Sequence, residues 1–224
     1  GKDHVVMVIS STNPISNRDL PQTLGRIVGI EPRTGKVLWE YKDWECHISV
    51  PSAVDAGNNK VLVAGGYEHG VVMVQVKKQA DGSYLATELF KHNDFGDQTK
   101  PPILHKGYFY AQFGTNRTRD GLSCMNMDGE IMWKTKRDPS FDKGSMILAD
   151  GLILATDGAK ALYLIEPDPT AFKPLASAEL LSDKAGDERM ARMFAKQNWA
   201  PMALSNGKLL IRDHSQMKCV KVGE

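Results

Sequence analysis

One phrase recurs four times along the chain and restricts its fold more than any other feature. The octets VPSAVDAG (50–57), KPPILHKG (100–107), GSMILADG (144–151) and APMALSNG (200–207) align without a gap. Each opens on small or proline residues, has an apolar middle and ends in glycine. A short strand-like stretch follows each of them: KVLVAG, YFYAQF, LILATD and KLLIRD. The closing glycine supplies the positive φ that a tight hairpin turn demands. The octets start at residues 50, 100, 144 and 200, a period in the range of solenoids, propellers and arrays.

A second hairpin follows in each repeat. GRIVGIEPRTGKVLWEY (25–41) and GLSCMNMDGEIMWKTK (121–136) are the clearest, with turn glycines Gly35 and Gly129 and with Trp39 and Trp133 four residues further on. Weaker copies occupy 71–90 and 161–180. One repeat thus holds four short strands, A to D. Four short strands per repeat of about 50 residues select a propeller, whose blades are four-stranded antiparallel sheets.

The expected fold is therefore an all-β propeller with about five repeats, three of them complete, in a single domain over 1–224. The blades are expected at 3–43 (partial), 46–92, 96–137, 141–181 and 198–224 (partial). HVVMVIS (4–10) reads as strand B of a first blade without its strand A, and MKCVKVGE as strand C of a last blade without its strand D. Either the two ends meet to complete one closing blade or, the favoured expectation, the chain is the C-terminal part of a seven- or eight-bladed propeller, with the missing N-terminal blades as partners. A blade cannot bury both faces alone, so Trp39 and Trp133 are expected to dock between blades. One segment breaks the pattern: 180–198 places Met190, Met193 and Phe194 at helical spacing behind Ser182 or Asp183 as a cap. A short helix is expected near 182–196, covering a blade edge or docking a partner.

Charge and motifs narrow the function. The 28 basic and 27 acidic side chains leave a net charge of +1, which favours neither nucleic acid nor an anionic membrane. No apolar run approaches the ~20 residues of a membrane span. Residue 1 is Gly rather than Met, so an export signal removed upstream would leave no trace. Cys46, Cys124 and Cys219 are too far apart for a metal knuckle and are expected to be free thiols. G-x-S-x-G, P-loop and H-E-x-x-H motifs are absent from the sequence. HNDFGDQ (92–98) has the residue types of a calcium loop without regular EF-hand spacing, and no metal site is expected. GGYEHG (65–70) precedes a strand rather than a helix and reads as a B–C loop.

Binding residues are sought where propellers hold ligands, at the channel mouth. The side chains just before the octets are His47, Gln98, Lys100, Lys143 and Trp199, a mixture of charge, hydrogen bonding and aromatic surface suited to a polar ligand. GTNRTRDG (114–121) adds Asn116, Arg117 and Arg119 beside Asp120. Its two guanidiniums suit a bidentate clamp on carboxylate or phosphate; the alternative is a solvated loop with Asp120 paired to an arginine.

GIEPRTGKVLWEY resembles the repeat signature of the pyrroloquinoline-quinone-like propellers, the quinoprotein alcohol dehydrogenase-like family. RDGLSCMNMDGEIMWKT and WAPMALSNGKLLIRD are similar to its outer-membrane-assembly-lipoprotein branch, and the resemblance covers essentially the whole chain. It implies a non-catalytic module in the periplasm or cell envelope of a bacterium, binding a protein, a polar small molecule or a saccharide. The family also implies an alternative, part of a quinoprotein dehydrogenase for an alcohol, polyvinyl alcohol or a sugar, with pyrroloquinoline quinone and Ca²⁺ as cofactors. Such enzymes use a vicinal cysteine pair over the quinone, a calcium held by Glu and Asn, and an Asp base. No two cysteines are adjacent here, and no acidic cluster aligns with those ligands, so no cofactor and no catalytic residue are expected.

Overall fold

The structure, a computed structural model, describes residues 4–10, 25–114, 119–182 and 198–223. Among these the chain is all-β, and within each of five sheets every strand pairs antiparallel with its neighbours in sequence. Sheet I comprises β1 (Val5–Ile9), β2 (Arg26–Ile30) and β3 (Val37–Tyr41). Sheet II comprises β4 (Val54–Asp55), β5 (Lys60–Gly65), β6 (Gly70–Lys78) and β7 (Tyr84–His92). Sheet III contains β8 (Ile103–His105), β9 (Tyr108–Gly114), β10 (Arg119–Asn126) and β11 (Ile131–Lys134). Sheet IV contains β12 (Met146–Ala149), β13 (Leu152–Thr156), β14 (Ala161–Glu166) and β15 (Lys173–Glu179). Sheet V has β16 (Ala203–Ser205), β17 (Lys208–Arg212) and β18 (Met217–Lys221). Three four-stranded meanders and two three-stranded ones are the blades of a propeller fold, as the repeats predict. Of the helix expected near 182–196, all but Ser182 lies outside the described residues.

The octets form the A–B hairpins. Three of them turn through two left-handed residues, Lys106-Gly107 (φ 48 and 83), Asp150-Gly151 (49 and 78) and Asn206-Gly207 (49 and 68). Two central residues at positive φ are the signature of the type I′ turn, whose twist matches that of the paired strands. The hairpin of sheet II is longer: Gly57, Asn58 and Asn59 are all left-handed, at 73, 51 and 60.

The middle strands carry the core. In β6, Val71, Val72, Met73 and Val74 are all 0% exposed, so apolar side chains on both faces are covered. The fourth strand of sheet IV, β15, is exposed along its whole length. Burial thus fades from the middle strands to the outermost one.

The chain divides into two compact units, Gly1–Pro102 and Ile103–Glu224. In the first, sheets I and II share one apolar cluster, with Ile27, Trp39 and Tyr41 against Val63, Val72 and Val74. The Trp39 indole lies over Gly29, where a Cβ would overlap it. Its Nε1–H donates to His4 Nδ1 at 3.1 Å, which leaves the proton of a neutral His4 on Nε2. The Tyr41 hydroxyl donates to the Glu88 carboxylate of sheet II, and Lys91 Nζ donates to the Asp43 carbonyl at 2.9 Å.

In the second unit, sheets III and IV enclose Tyr110, Leu122, Cys124, Phe141, Ile153 and Ile165. Trp133 packs at the edge of this cluster, and its Nε1–H donates to the Asp168 carbonyl of the β14–β15 connection at 2.9 Å. Sheets IV and V enclose Leu154, Leu162, Leu209 and Ile211. A buried polar chain links the same sheets. Gln112 Nε2 donates to the Thr156 carbonyl at 2.8 Å, and Gln112 Oε1 accepts the Gly144 N–H at 2.7 Å. Thr156 Oγ1 accepts the Ser145 N–H at 2.8 Å, and Ser145 Oγ accepts the Met202 N–H at 3.1 Å. Buried groups of this kind stabilise only when each is paired.

Two glycines separate the effects of packing and of backbone conformation. Gly29→Ala drives a methyl into the Trp39 indole, and we expect a loss toward the upper end of about 1–3 kcal/mol in urea unfolding. Gly35, at φ 70 with nothing within 4 Å, is strained but not crowded by alanine, and Gly35→Ala should cost only about 1 kcal/mol. Equal losses would show that the indole does not rest on Gly29.

Candidate functional site

In the first unit the β3–β4 connection alternates its side chains. Trp44 and Cys46 point into the core at 3% and 1% exposure, while Glu45 and His47 face solvent. The β5–β6 turn meets this connection, with Tyr67 and Glu68 in left-handed conformations. The rings of His47 and His69 stand nearly perpendicular with centroids 5.7 Å apart, and Trp44 meets His69 at 6.4 Å. Gln98 covers the same turn from its other side, its side chain occupying the space above Gly66. Two residues on, the Lys100 N–H donates to Asp97 Oδ1 at 2.9 Å, beside that of Thr99 at 2.8 Å. Asp97 is fully buried. Burial pulls the Lys100 ammonium below its ordinary range, against the opposing pull of Asp97.

The structure therefore brings His47 and Gln98 to one turn, 65–69, with Lys100 held through Asp97. Beside that turn lies a cleft of about 460 Å³. Its walls are Lys42, Asp43 and Glu45 from the β3–β4 connection, Glu68 and His69 from the turn, and Lys91 at the end of β7, around the buried Trp44. Three carboxylates and two ammoniums face one space. The loop 92–98 contributes the fully buried Phe95 and Asp97, and Asp97 serves as a backbone anchor.

In the second unit, Lys143 and Trp199 come together. The ammonium sits 5.2 Å from the indole centroid, a cation–π distance, and pairs with Asp142 at 3.1 Å. Asn116 and Arg117 lie outside the described residues; Arg119 opens β10. Asp120 accepts from Lys134 Nζ at 2.9 Å, both side chains being largely buried.

The three cysteines are free and separate, burial pushes the Cys124 thiol up to about 11, and among the described residues no three His, Cys, Asp or Glu side chains are grouped to hold a metal ion. No helix among the described residues is long and apolar enough to cross a membrane.

Trp44, His69 and Glu68 were not among the residues singled out from the sequence. The alternation in WECH, two side chains in and two out, is the signal that points to the first of them. The placement of His69 depends on two left-handed residues, Tyr67 and Glu68, that no residue preference announces.

No protein-family profile and no curated protein matches the sequence. Among solved structures, the computationally designed Ika8 protein superposes with a TM-score of 0.51 at 7% identity, over 88% of this chain and 50% of that one. BamB from Moraxella catarrhalis gives 0.38 at 12% identity, over 88% of this chain and 66% of that one. The quinohemoprotein alcohol dehydrogenase ADHIIG from Pseudomonas putida HK5 gives 0.48 at 16% identity, over 83% and 40%. Identities this low show the fold alone, and the two TM-scores below 0.5 carry no argument. The chain spans 40–66% of the length of these three proteins.

The His47–His69 contact has a pH consequence. Burial first, and the charge of His47 second, hold the His69 imidazole below its ordinary 6.5, with Glu45 opposing. The folded chain thus binds a proton at His69 less readily than the unfolded chain. Stability is untouched above the ordinary histidine range and falls as pH drops below 6.5 toward the folded value. Urea midpoints measured from pH 8 to pH 5 should decline less in His69→Gln than in the parent; an identical decline would contradict this.

Proposed function

We propose that this chain is a non-catalytic, pyrroloquinoline-quinone-like propeller module that recognises a protein or a polar ligand in the bacterial cell envelope. The observation that carries the reading is the cleft over Trp44. Lys42 and Lys91 alternate there with Asp43, Glu45 and Glu68 around a buried indole. A polypeptide presenting both signs of charge meets such a surface with complementary pairs, which set orientation and encounter rate. The likeness of RDGLSCMNMDGEIMWKT and WAPMALSNGKLLIRD to the outer-membrane-assembly branch supports a periplasmic setting and a protein partner.

Two measurements test it. The chain incubated with pyrroloquinoline quinone and Ca²⁺, then desalted, should show no alcohol-dependent dye reduction; dye reduction with retained quinone absorbance would overturn the non-catalytic reading. A photo-crosslinking residue in place of Glu45, in chain exported to a bacterial periplasm, should capture a discrete protein, and Lys42→Glu with Lys91→Glu should abolish the adduct. Absence of any adduct, or one indifferent to the charge reversal, would contradict recognition at this cleft.

A further inference from the structure

A second cavity, of about 730 Å³, opens between sheets I and II within the first unit. It is formed by the β4–β5 turn, by the ends of β6 and β7, and by β1. One wall is aromatic: the edge of Trp39, and Tyr84, whose ring meets His4 edge-on at 4.6 Å. The rim is polar and consists of Asp55, Asn58, Asn59, Lys60 and Lys78.

The rim exists because this A–B turn is lengthened. Where the octets at 100–107, 144–151 and 200–207 run directly from glycine into strand B, Asn58 and Asn59 are inserted after Gly57. Both adopt left-handed conformations, φ 51 and 60, which asparagine tolerates better than most residues. Asp55 is committed to the turn itself, its Oδ1 accepting the Gly57 N–H at 2.9 Å. The rest is uncommitted. Among the described residues, neither Lys60 nor Lys78 forms an ion pair. The side-chain amides of Asn58 and Asn59 likewise make no hydrogen bond among the described residues.

Two unpaired ammoniums outnumber the single carboxylate on this rim, Asp55, and leave it net cationic, which calls for an anion. Two free amides add donors and acceptors in the pattern that vicinal hydroxyls require. An aromatic wall offers a face to the C–H side of a saturated ring. The volume lies within the range of small-molecule sites. We propose that this cavity binds a hexuronate-type ligand, a polyhydroxylated ring bearing one carboxylate. The carboxylate lies between Lys60 and Lys78, the hydroxyls meet Asn58 and Asn59, and the ring stacks on Tyr84 beside Trp39. This site shares no residue with the cleft over Trp44, so it stands or falls independently of the proposed function.

The test is calorimetric titration of the intact chain at low salt with D-glucuronate, its methyl ester, and a tetrasaccharide of glucuronate alternating with N-acetylglucosamine, with Trp fluorescence as a second readout. D-glucuronate should bind, and the methyl ester, which has the same ring without the charge, should bind about tenfold or more weakly. Lys60→Gln with Lys78→Gln should cost a similar factor and flatten the salt dependence, and Tyr84→Ala should weaken both charged ligands. Tighter binding of the tetrasaccharide than of the monosaccharide supports the site with a polysaccharide as the source; the reverse supports it with a free sugar acid. No binding of either charged ligand, equal binding of the ester, or a double variant that binds as the parent does would overturn the proposal. The ester comparison uses the unaltered protein and so holds even if a variant misfolds.

Discussion

The structure depends on the covering of two-faced apolar strands. A strand such as β6, with four consecutive residues fully buried, has no solvent face. Its sheet must be covered on both sides, and each buried Val, Leu or Ile contributes about 1.5–3 kcal/mol only if that cover is present. Within each unit the cover is the next sheet: II for I in the first, IV for III and V for IV in the second. Repetition follows from this need, because a sheet that covers its neighbour requires cover of its own.

The tryptophans adapt that stacking to a twisted sheet. Trp39 and Trp133 occupy the same place in their repeats, four residues after a turn glycine, yet they are held differently. Trp39 lies flat on a glycine of its own sheet and bonds to His4. Trp133 reaches the Asp168 carbonyl of the following sheet and meets Phe172 at 6.1 Å. The repeat thus specifies where a large flat side chain stands, and the surroundings decide what its N–H finds.

The strands and turns were legible in the sequence because their causes are local. Alternation, a closing glycine and a fixed spacing reappear as A–B hairpins with left-handed turn residues, and HVVMVIS and MKCVKVGE supply outer strands of the two three-stranded sheets. The buried polar chain through Gln112, Ser145 and Thr156 was not legible, since each partner is distant in sequence and each residue alone resembles an ordinary strand or turn position. Sorting by position before the octets finds His47 and Gln98, which stand at the 65–69 turn beside the cleft without lining it, and Lys143 and Trp199, which pair in the second unit. It passes over Trp44 and His69, which matter through burial and through a backbone conformation that the residue types do not announce. The lengthened turn at Asn58 and Asn59 was visible as two extra letters, but its consequence, a rim of unpaired groups beside Tyr84, required the neighbouring sheet.

Native-state amide hydrogen exchange on Trp133→Ala tests mutual cover most directly. If one sheet is held by the next, removing this indole should lower protection in β9 and β10 and, by a comparable amount, in β13 and β14 of the following sheet. Loss of protection confined to β8–β11, with β12–β15 exchanging as in the parent, would show that each sheet stands alone and would contradict the account.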